Sequence, residues 1–309
     1  MKKTLKRVLA FLLAVFVIAT LMPQQVYAKK KTQTYYNWTK HKNYEYIDGQ
    51  WIIRNEDSYS YKKNGDTKSY TYRWYDYDNE TKVNTKGPLN KSVYSFGKNK
   101  HTTKNYVDGK YTGKTVYTSS SKKSTTKEYD AKGKLLSSDV TTLDKKGNPI
   151  KSVYKRGKDK SVTKYKNTYK KGRLVKVVTT YSDNTKSTTT YSYHSNGAWK
   201  KVTYKSKWGT STDTYDKKYR LIKNVDEDDY SKRVTTYEYK GKSYDAKKKT
   251  EKITFKEDNR TETNIYTFKR KYDKNKNLTE EIQYKNGEED QKSVYSGYKK
   301  FKYTYEVDE

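Results

Sequence analysis

Short runs in which apolar and polar residues alternate fill most of this chain, and each run stops at a cluster of Lys, Asn, Asp and Gly. A period of two places alternate side chains on opposite faces of an extended strand, so the runs predict half-buried β-strands joined by tight turns. The clusters share a form, in which an aromatic and a polar residue precede a Lys/Asn/Gly turn and an apolar residue opens the next run. It stands as Tyr129-Asp130-Ala131-Lys132-Gly133-Lys134-Leu135, Tyr169-Lys170-Lys171-Gly172-Arg173-Leu174, Tyr193-His194-Ser195-Asn196-Gly197-Ala198-Trp199, Tyr215-Asp216-Lys217-Lys218-Tyr219-Arg220-Leu221 and Tyr272-Asp273-Lys274-Asn275-Lys276-Asn277-Leu278. Tyr244-Asp245 reads as a degenerate copy. This recurrence falls in the range of repeat architectures. No segment after the first 28 residues shows an apolar stripe at helical spacing with caps, so helices are expected to be few and short.

Two hairpins allow faces to be derived. With Asn196-Gly197 as the centre of a type I′ turn, Tyr191, Tyr193, Val202 and Tyr204 share one face with Thr189 and Lys200. The other face then holds His194, Trp199, Lys201, Thr203 and Lys205. In the second hairpin, pairing Tyr272 with Leu278 puts Tyr266, Phe268, Leu278, Ile282 and Tyr284 on one face, with Arg270 opposite Glu280 as a cross-strand ion pair. Longer similarity joins Lys91-Ser92-Val93-Tyr94 to Lys151-Ser152-Val153-Tyr154, continuing through Gly97-Lys98 and Gly157-Lys158 to Thr103-Lys104 and Thr163-Lys164; Lys292-Ser293-Val294-Tyr295 repeats the opening. The expected fold is all-β, an elongated antiparallel hairpin repeat forming a twisted meander or an open solenoid-like sheet. Residues 29–121 are divergent β-repeats and residues 122–309 the clearer hairpin repeats, with a soft boundary at Ser119-Ser120-Ser121.

The first 28 residues differ from the rest. Lys2, Lys3, Lys6 and Arg7 precede the uncharged run from Val8 to Met22, and Val26-Tyr27-Ala28 supplies small-residue cleavage chemistry, so residues 1–28 are read as a secretory signal peptide. The chain has no cysteine, which excludes disulfides and a lipid-modified cysteine alike. No membrane anchor is expected after cleavage. Formal charge is +33, and the four basic residues of the leader reduce it to +29 in the exported part. Aliphatic residues are scarce whereas tyrosine numbers 36, so aromatic packing within sheets must replace an oily core.

Catalytic chemistry finds few residues to work with. His41, His101 and His194 are the only histidines, each in a polar stretch, and all three are expected at the surface. They provide neither a poised base nor zinc-ligand spacing. Asp76, Asp78 and Glu80 lack the Gly that a calcium loop needs after its third ligand, Thr81 standing there instead, and Asp226-Glu227-Asp228-Asp229 reads as a turn or loop between strands; both clusters are expected to be solvated acidic turns. No metal, cofactor or catalytic residue is assigned.

The Tyr-Asp, turn, Gly-Arg/Lys-Leu pattern resembles the YD-repeat, or Rhs-like, family of secreted and surface bacterial proteins, most closely at Tyr129 to Leu135 and Tyr169 to Leu174. Gly is missing from the copies at Tyr215, Tyr244 and Tyr272, and Leu143 replaces Tyr at Leu143-Asp144-Lys145-Lys146-Gly147. The resemblance implies a β-sheet scaffold associated with surface binding, carbohydrate contact or toxin encapsulation. Together with the residual charge, it gives the expectation of a secreted, noncatalytic protein, extracellular or wall-associated, that binds an anionic cell-wall polymer or acidic glycan. Trp199, Lys201 and Lys205 are the candidate site residues. Nucleic acid is ranked below glycan; a structural or protein-interaction module and a polysaccharide-processing enzyme are the alternatives.

Overall fold

The computed structural model describes residues 29–307, with side chains described at Thr34 and from Tyr36 to Phe301. The leader read at residues 1–28 lies outside the described residues. Every regular element described is a strand. In chain order these are β1 (Lys29–Asn37), β2 (Lys40–Ile47), β3 (Gln50–Tyr61), β4 (Thr67–Tyr77), β5 (Asn84–Lys86), β6 (Asn90–Gly97), β7 (Lys100–Val107) and β8 (Lys110–Ser119). Then follow β9 (Lys123–Asp130), β10 (Leu135–Leu143), β11 (Pro149–Arg156), β12 (Asp159–Lys170), β13 (Arg173–Thr180), β14 (Lys186–Tyr193), β15 (Trp199–Ser206) and β16 (Gly209–Tyr215). The last are β17 (Leu221–Glu227), β18 (Ser231–Tyr239), β19 (Ala246–Phe255), β20 (Thr261–Tyr272), β21 (Leu278–Lys285), β22 (Glu288–Ser296) and β23 (Lys299–Val307).

The antiparallel meander of the sequence reading is present, but it is neither elongated nor open. Twenty strands, β2 to β4 and β6 to β22, close into one barrel through the pairing of β2 with β22. β5 attaches only to β4, and β1 pairs with β23 as a separate two-stranded ribbon. The sheet runs without a break across the serine run, where Ser119 ends β8 and Ser120 accepts from the backbone of Lys123 to make the turn into β9.

Closure has an identifiable local cause. Beside each hairpin turn of the repeated type, the second strand contains one extra residue. Register shifts fall next to Tyr61, Tyr129, Leu143, Tyr169, Tyr193, Tyr215, Tyr239 and Tyr272. A bulge bends its strand and raises the local twist, and repeated bulges curl a sheet. Alternation alone does not encode them.

The turn itself explains the Tyr-Asp signature. At Asp144 the side chain accepts hydrogen bonds from the backbone N–H of Lys146 (2.8 Å) and Asn148 (2.9 Å). Asp216 does the same with Lys218 and Arg220, and Asp273 with Asn275 and Asn277. These carboxylates hold a three-residue loop whose last residue has positive φ, supplied by Gly147 in the first case but by Tyr219 and Lys276 in the others. The tyrosine serves the neighbouring hairpin. Tyr193 donates its hydroxyl to the Leu174 carbonyl (2.6 Å) and Tyr239 to the Leu221 carbonyl (2.7 Å), while Tyr298 donates to that of Leu278. A basic residue of the preceding turn covers two of these rings, Arg173 over Tyr193 (5.4 Å) and Arg220 over Tyr239 (4.6 Å). Tyr239, not Tyr244, therefore carries the repeat in this interval; Tyr244 is exposed in the loop beyond.

Following partners from strand to strand gives one continuous face around the whole barrel. It holds Tyr191, Val202, Tyr204, Asp213, Thr235, Glu251, Tyr266, Ser293, Asp57 and Tyr70, among others. Every buried strand residue of the barrel lies on it, including Val177, Ser187, Tyr191, Val202 and Tyr266. Since the concave side of a closed sheet crowds its side chains, this is the inward face. Tyr191 and Tyr204 lie together there, as read from the sequence, around the small core of Val177, Tyr191 and Val202 with Tyr165, Leu174, Tyr193, Trp199 and Tyr215 packed against it.

Both parts of the turn can be tested. Tyr193→Phe keeps the ring but loses the clasp to Leu174, and should lower stability by about 1 kcal/mol in urea denaturation; an unchanged midpoint would rule out the clasp. The carboxyls of Asp144 and Asp216 sit below the usual carboxylate range: desolvation pulls them up, but the Tyr169 hydroxyl and turn amides outweigh it at Asp144, and the Arg220 backbone and guanidinium do so at Asp216. At Asp273, hydrogen bonds from Asn277 lower the carboxyl. Groups with depressed folded pKa stabilise fully above their unfolded value, about 3.9, and lose that contribution as pH falls through the folded value. Through these carboxylates the thermal midpoint should therefore be flat from about pH 5 to neutrality and fall below about pH 4. A triple Asp144→Asn, Asp216→Asn, Asp273→Asn variant should show a shallower acid limb.

Candidate functional site

The sequence-predicted trio is not one cluster. Outer pairs of the β14/β15 hairpin match the sequence register, with Thr189 opposite Tyr204 and Tyr191 opposite Val202. The turn differs, because Gly197 (φ 86°) alone of the central pair has positive φ, whereas a type I′ turn needs both. The His194 carbonyl accepts from the Gly197 N–H, the loop has three residues, and Lys200 becomes the bulge. Trp199 consequently turns inward onto Tyr191 (6.4 Å) and Tyr215 (6.1 Å), while Lys201 and Lys205 remain exposed on the outward face. The same device alters the β20/β21 hairpin. Tyr272 pairs with Leu278 as expected, but the Thr279 bulge sets Arg270 opposite Glu281 (2.5 Å) instead of Glu280, and places Ile282 and Tyr284 on the outward face.

The histidines expected at the surface differ among themselves: His41 is almost buried, whereas His101 and His194 are half-buried. His41 Nδ1 lies 3.0 Å from Asp57 Oδ2, both side chains are almost buried, and the imidazole stacks on Tyr295 at 4.5 Å. Asp57 also accepts from Tyr70 (2.5 Å) and Asn55 (3.1 Å), and Trp38 abuts His41 and Tyr59. This cluster spans the closing pair β22/β2, where the side chain of Ser293 donates to Asn43 (2.6 Å). His101 sits between Phe96 and Tyr117, and the His194 ring approaches the Tyr215 carbonyl at 2.8 Å. The acidic clusters have structural uses. Asp78 accepts from the Glu80 and Thr81 N–H groups, and Asp228 from those of Tyr230 and Ser231. Asp226 and Glu227 belong to β17 and not to a loop; Glu227 pairs with Lys232 (3.3 Å) and Lys256 (3.1 Å).

Concave sites are shallow. One depression of about 480 Å³ at a barrel rim is lined by Lys170, Arg173, Tyr191 and Tyr193, with no carboxylate in its lining. Another lies at the turn of Asp76, Asp78 and Glu80.

The two faces of the wall differ in charge, a site-scale feature that alternation shows at one hairpin only, through Lys201 and Lys205. From β6 through β16 every strand carboxylate, namely Glu128, Asp130, Asp139, Asp159 and Asp213, belongs to the inward face. There they meet donors: Ser152 donates to Asp139 (2.6 Å) and Asn224 to Asp213 (3.0 Å). The outward face of the same strands presents Lys with Thr, Val and Ser, including Lys104, Lys127, Lys151, Lys155, Lys160, Lys164, Lys176, Lys201 and Lys205, all exposed. No ion pair forms among the described residues between 91 and 214. The remaining wall is mixed, and several of its outward lysines are paired, as in Lys271 with Glu280 (2.6 Å) and Lys248 with Glu238 (3.6 Å). Neither face provides the apolar band that a lipid-embedded barrel turns to its surroundings, where each Lys at midplane costs about 2–4 kcal/mol.

No protein-family model and no curated protein matches the chain. Among solved structures, a porin-like protein from Bacteroides uniformis ATCC 8492 is similar at 11% identity and a TM-score of 0.38, covering 84% of this chain and 96% of that one. A porin-like protein from Bacteroides vulgatus ATCC 8482 gives 11% and 0.32 over 84% of this chain and 97% of that one. The TcdB2-TccC3-Cdc42 structure gives 16% and 0.22, covering 80% of this chain and 12% of that chain. These superpositions are loose, and the barrel described above rests on its own strand pairing.

The seam makes a direct prediction. His41→Leu removes both the Asp57 contact and the stack on Tyr295, and should cost about 1–3 kcal/mol of unfolding free energy. Wild-type stability in this variant would show that β2/β22 closure does not depend on the cluster.

Proposed function

We propose that this protein is a secreted, noncatalytic β-barrel that binds anionic cell-envelope polymers or acidic polysaccharide through its outward lysine surface. The observation that carries the reading is the sorting of carboxylates inward and lysines outward across β6 to β16. Exposed cations without counter-charges create a long-range attractive field for polyanions. Residues 1–28, read as an export signal, and the excess of +29 that follows them support an extracellular site held at the wall by charge. The Tyr-Asp turns support kinship with YD-repeat scaffolds, and within that reading the barrel is a binding platform.

A second reading rests on a different feature. Among the described residues β1 and β23 pair with each other and with no strand of the barrel, and a ribbon of this kind presents edges that accept a strand from another chain. Self-association that persists in high salt, without polymer binding, would favour it.

The first reading is tested by binding purified exported protein to teichoic-acid-bearing walls and to heparin at two ionic strengths. Affinity should fall steeply with salt, because exposed charges are screened over about 8 Å at physiological ionic strength. Binding that ignores salt, or that is confined to a neutral glycan, would overturn it.

A further inference from the structure

We infer that the focal site on this wall is a rectangle of four lysines on the β11/β12 hairpin, and that its ligand is a linear phosphate polymer recognised by charge alone. The inference rests on the polyanion-binding reading and locates it. In the hairpin register Lys151 lies directly opposite Lys164, Val153 opposite Val162, and Lys155 opposite Lys160. Four ammonium groups thus surround one valine pair on the outward face, and all four side chains are exposed. Their neighbours cannot neutralise them. Lys151 faces Thr142 on β10, Lys155 faces Ser138, and Lys164 faces Thr180 on β13.

Like charges directly opposite one another destabilise a sheet. Outside this sector Lys248 and Lys271 pair with carboxylates, whereas among the described residues no lysine of this hairpin does. An anion bridging each pair would convert repulsion into attraction. The rectangle spans roughly 13 Å along the strands, four residues at about 3.3 Å each, and one strand spacing across them. That area suits successive charges of a flexible chain better than one small ion.

The chemistry of the ligand follows from what is missing. Lys is a compact point charge, whereas the planar fork of Arg is what orients carboxylates. The one arginine of this hairpin, Arg156, faces inward opposite Asp159. Tyr154 of β11 and Tyr165 of β12 also belong to the inward face, so the rectangle has no ring on which a base or sugar could stack. Phosphate, with charge and acceptor oxygens on all sides, needs neither fork nor ring.

The test uses Lys160→Glu with Lys164→Glu in the full exported protein, and Lys252→Glu with Lys269→Glu as an equal charge change on exposed outward positions of the mixed sector. Without ligand, the first pair should raise the thermal midpoint, because each introduced carboxylate would stand opposite a remaining lysine, Lys155 in one case and Lys151 in the other. With long-chain inorganic polyphosphate it should lower the salt-dependence slope by roughly two, about one for each phosphate-contacting lysine, while the control pair retains the wild-type slope. Equal losses in both variants would overturn the location. Tighter binding of poly-glutamate at matched charge density would overturn the phosphate assignment, and tighter binding of single-stranded poly(dT) would overturn recognition by charge alone. Absence of binding to every polyanion by the wild type would instead sink the underlying functional reading.

Discussion

Cohesion in this molecule depends on completing a ring of backbone hydrogen bonds. With no disulfides and few aliphatic side chains, an open sheet of this composition would leave two long edges and little buried area to hold it flat. Pairing β2 with β22 removes the edges from the main sheet, and the concavity that results gives the tyrosines a crowded side on which to pack. Tyrosine suits that side because its ring supplies area and its hydroxyl supplies a bond. The rim clasps on Leu174, Leu221 and Leu278 fasten each hairpin to the one before it.

Much of the local order was legible in the chain. The alternation located the strands, the Asp-containing clusters located the turns, and the outer register of β14/β15 followed from the shared face of Tyr191 and Tyr204. What escaped was the bulge. A period of two contains no mark for an extra residue, and Asn196-Gly197 suits a type I′ turn as readily as the three-residue loop it occupies. One residue of slip was enough to turn Trp199 inward, to move Glu281 into the place expected for Glu280, and to bend an expected ribbon into a barrel.

The charge pattern was half legible for the same reason. Excess lysine was evident from composition, but its sidedness depends on register, which the bulges control. Asp139 and Asp213 look like any carboxylate in a polar stretch; only their partners show that they serve inward hydrogen bonds and leave the outer wall to lysine. One histidine is a similar case. A polar sequence neighbourhood surrounds His41, yet its spatial neighbours are Trp38, Asp57 and Tyr295, drawn from β3, β22 and the link before β2.

Tyr169, Tyr193, Tyr215 and Tyr239 mark successive pairs of strands, so each period carries the chain down and back to the same rim. Circumference can therefore change only by whole units if the molecule is to keep its sides. Duplicating or deleting one two-strand unit would widen or narrow the ring while leaving lysines outward and clasps at their own end. Loss of a single strand would invert every later element, exchanging top for bottom, and the two closing strands could no longer meet antiparallel.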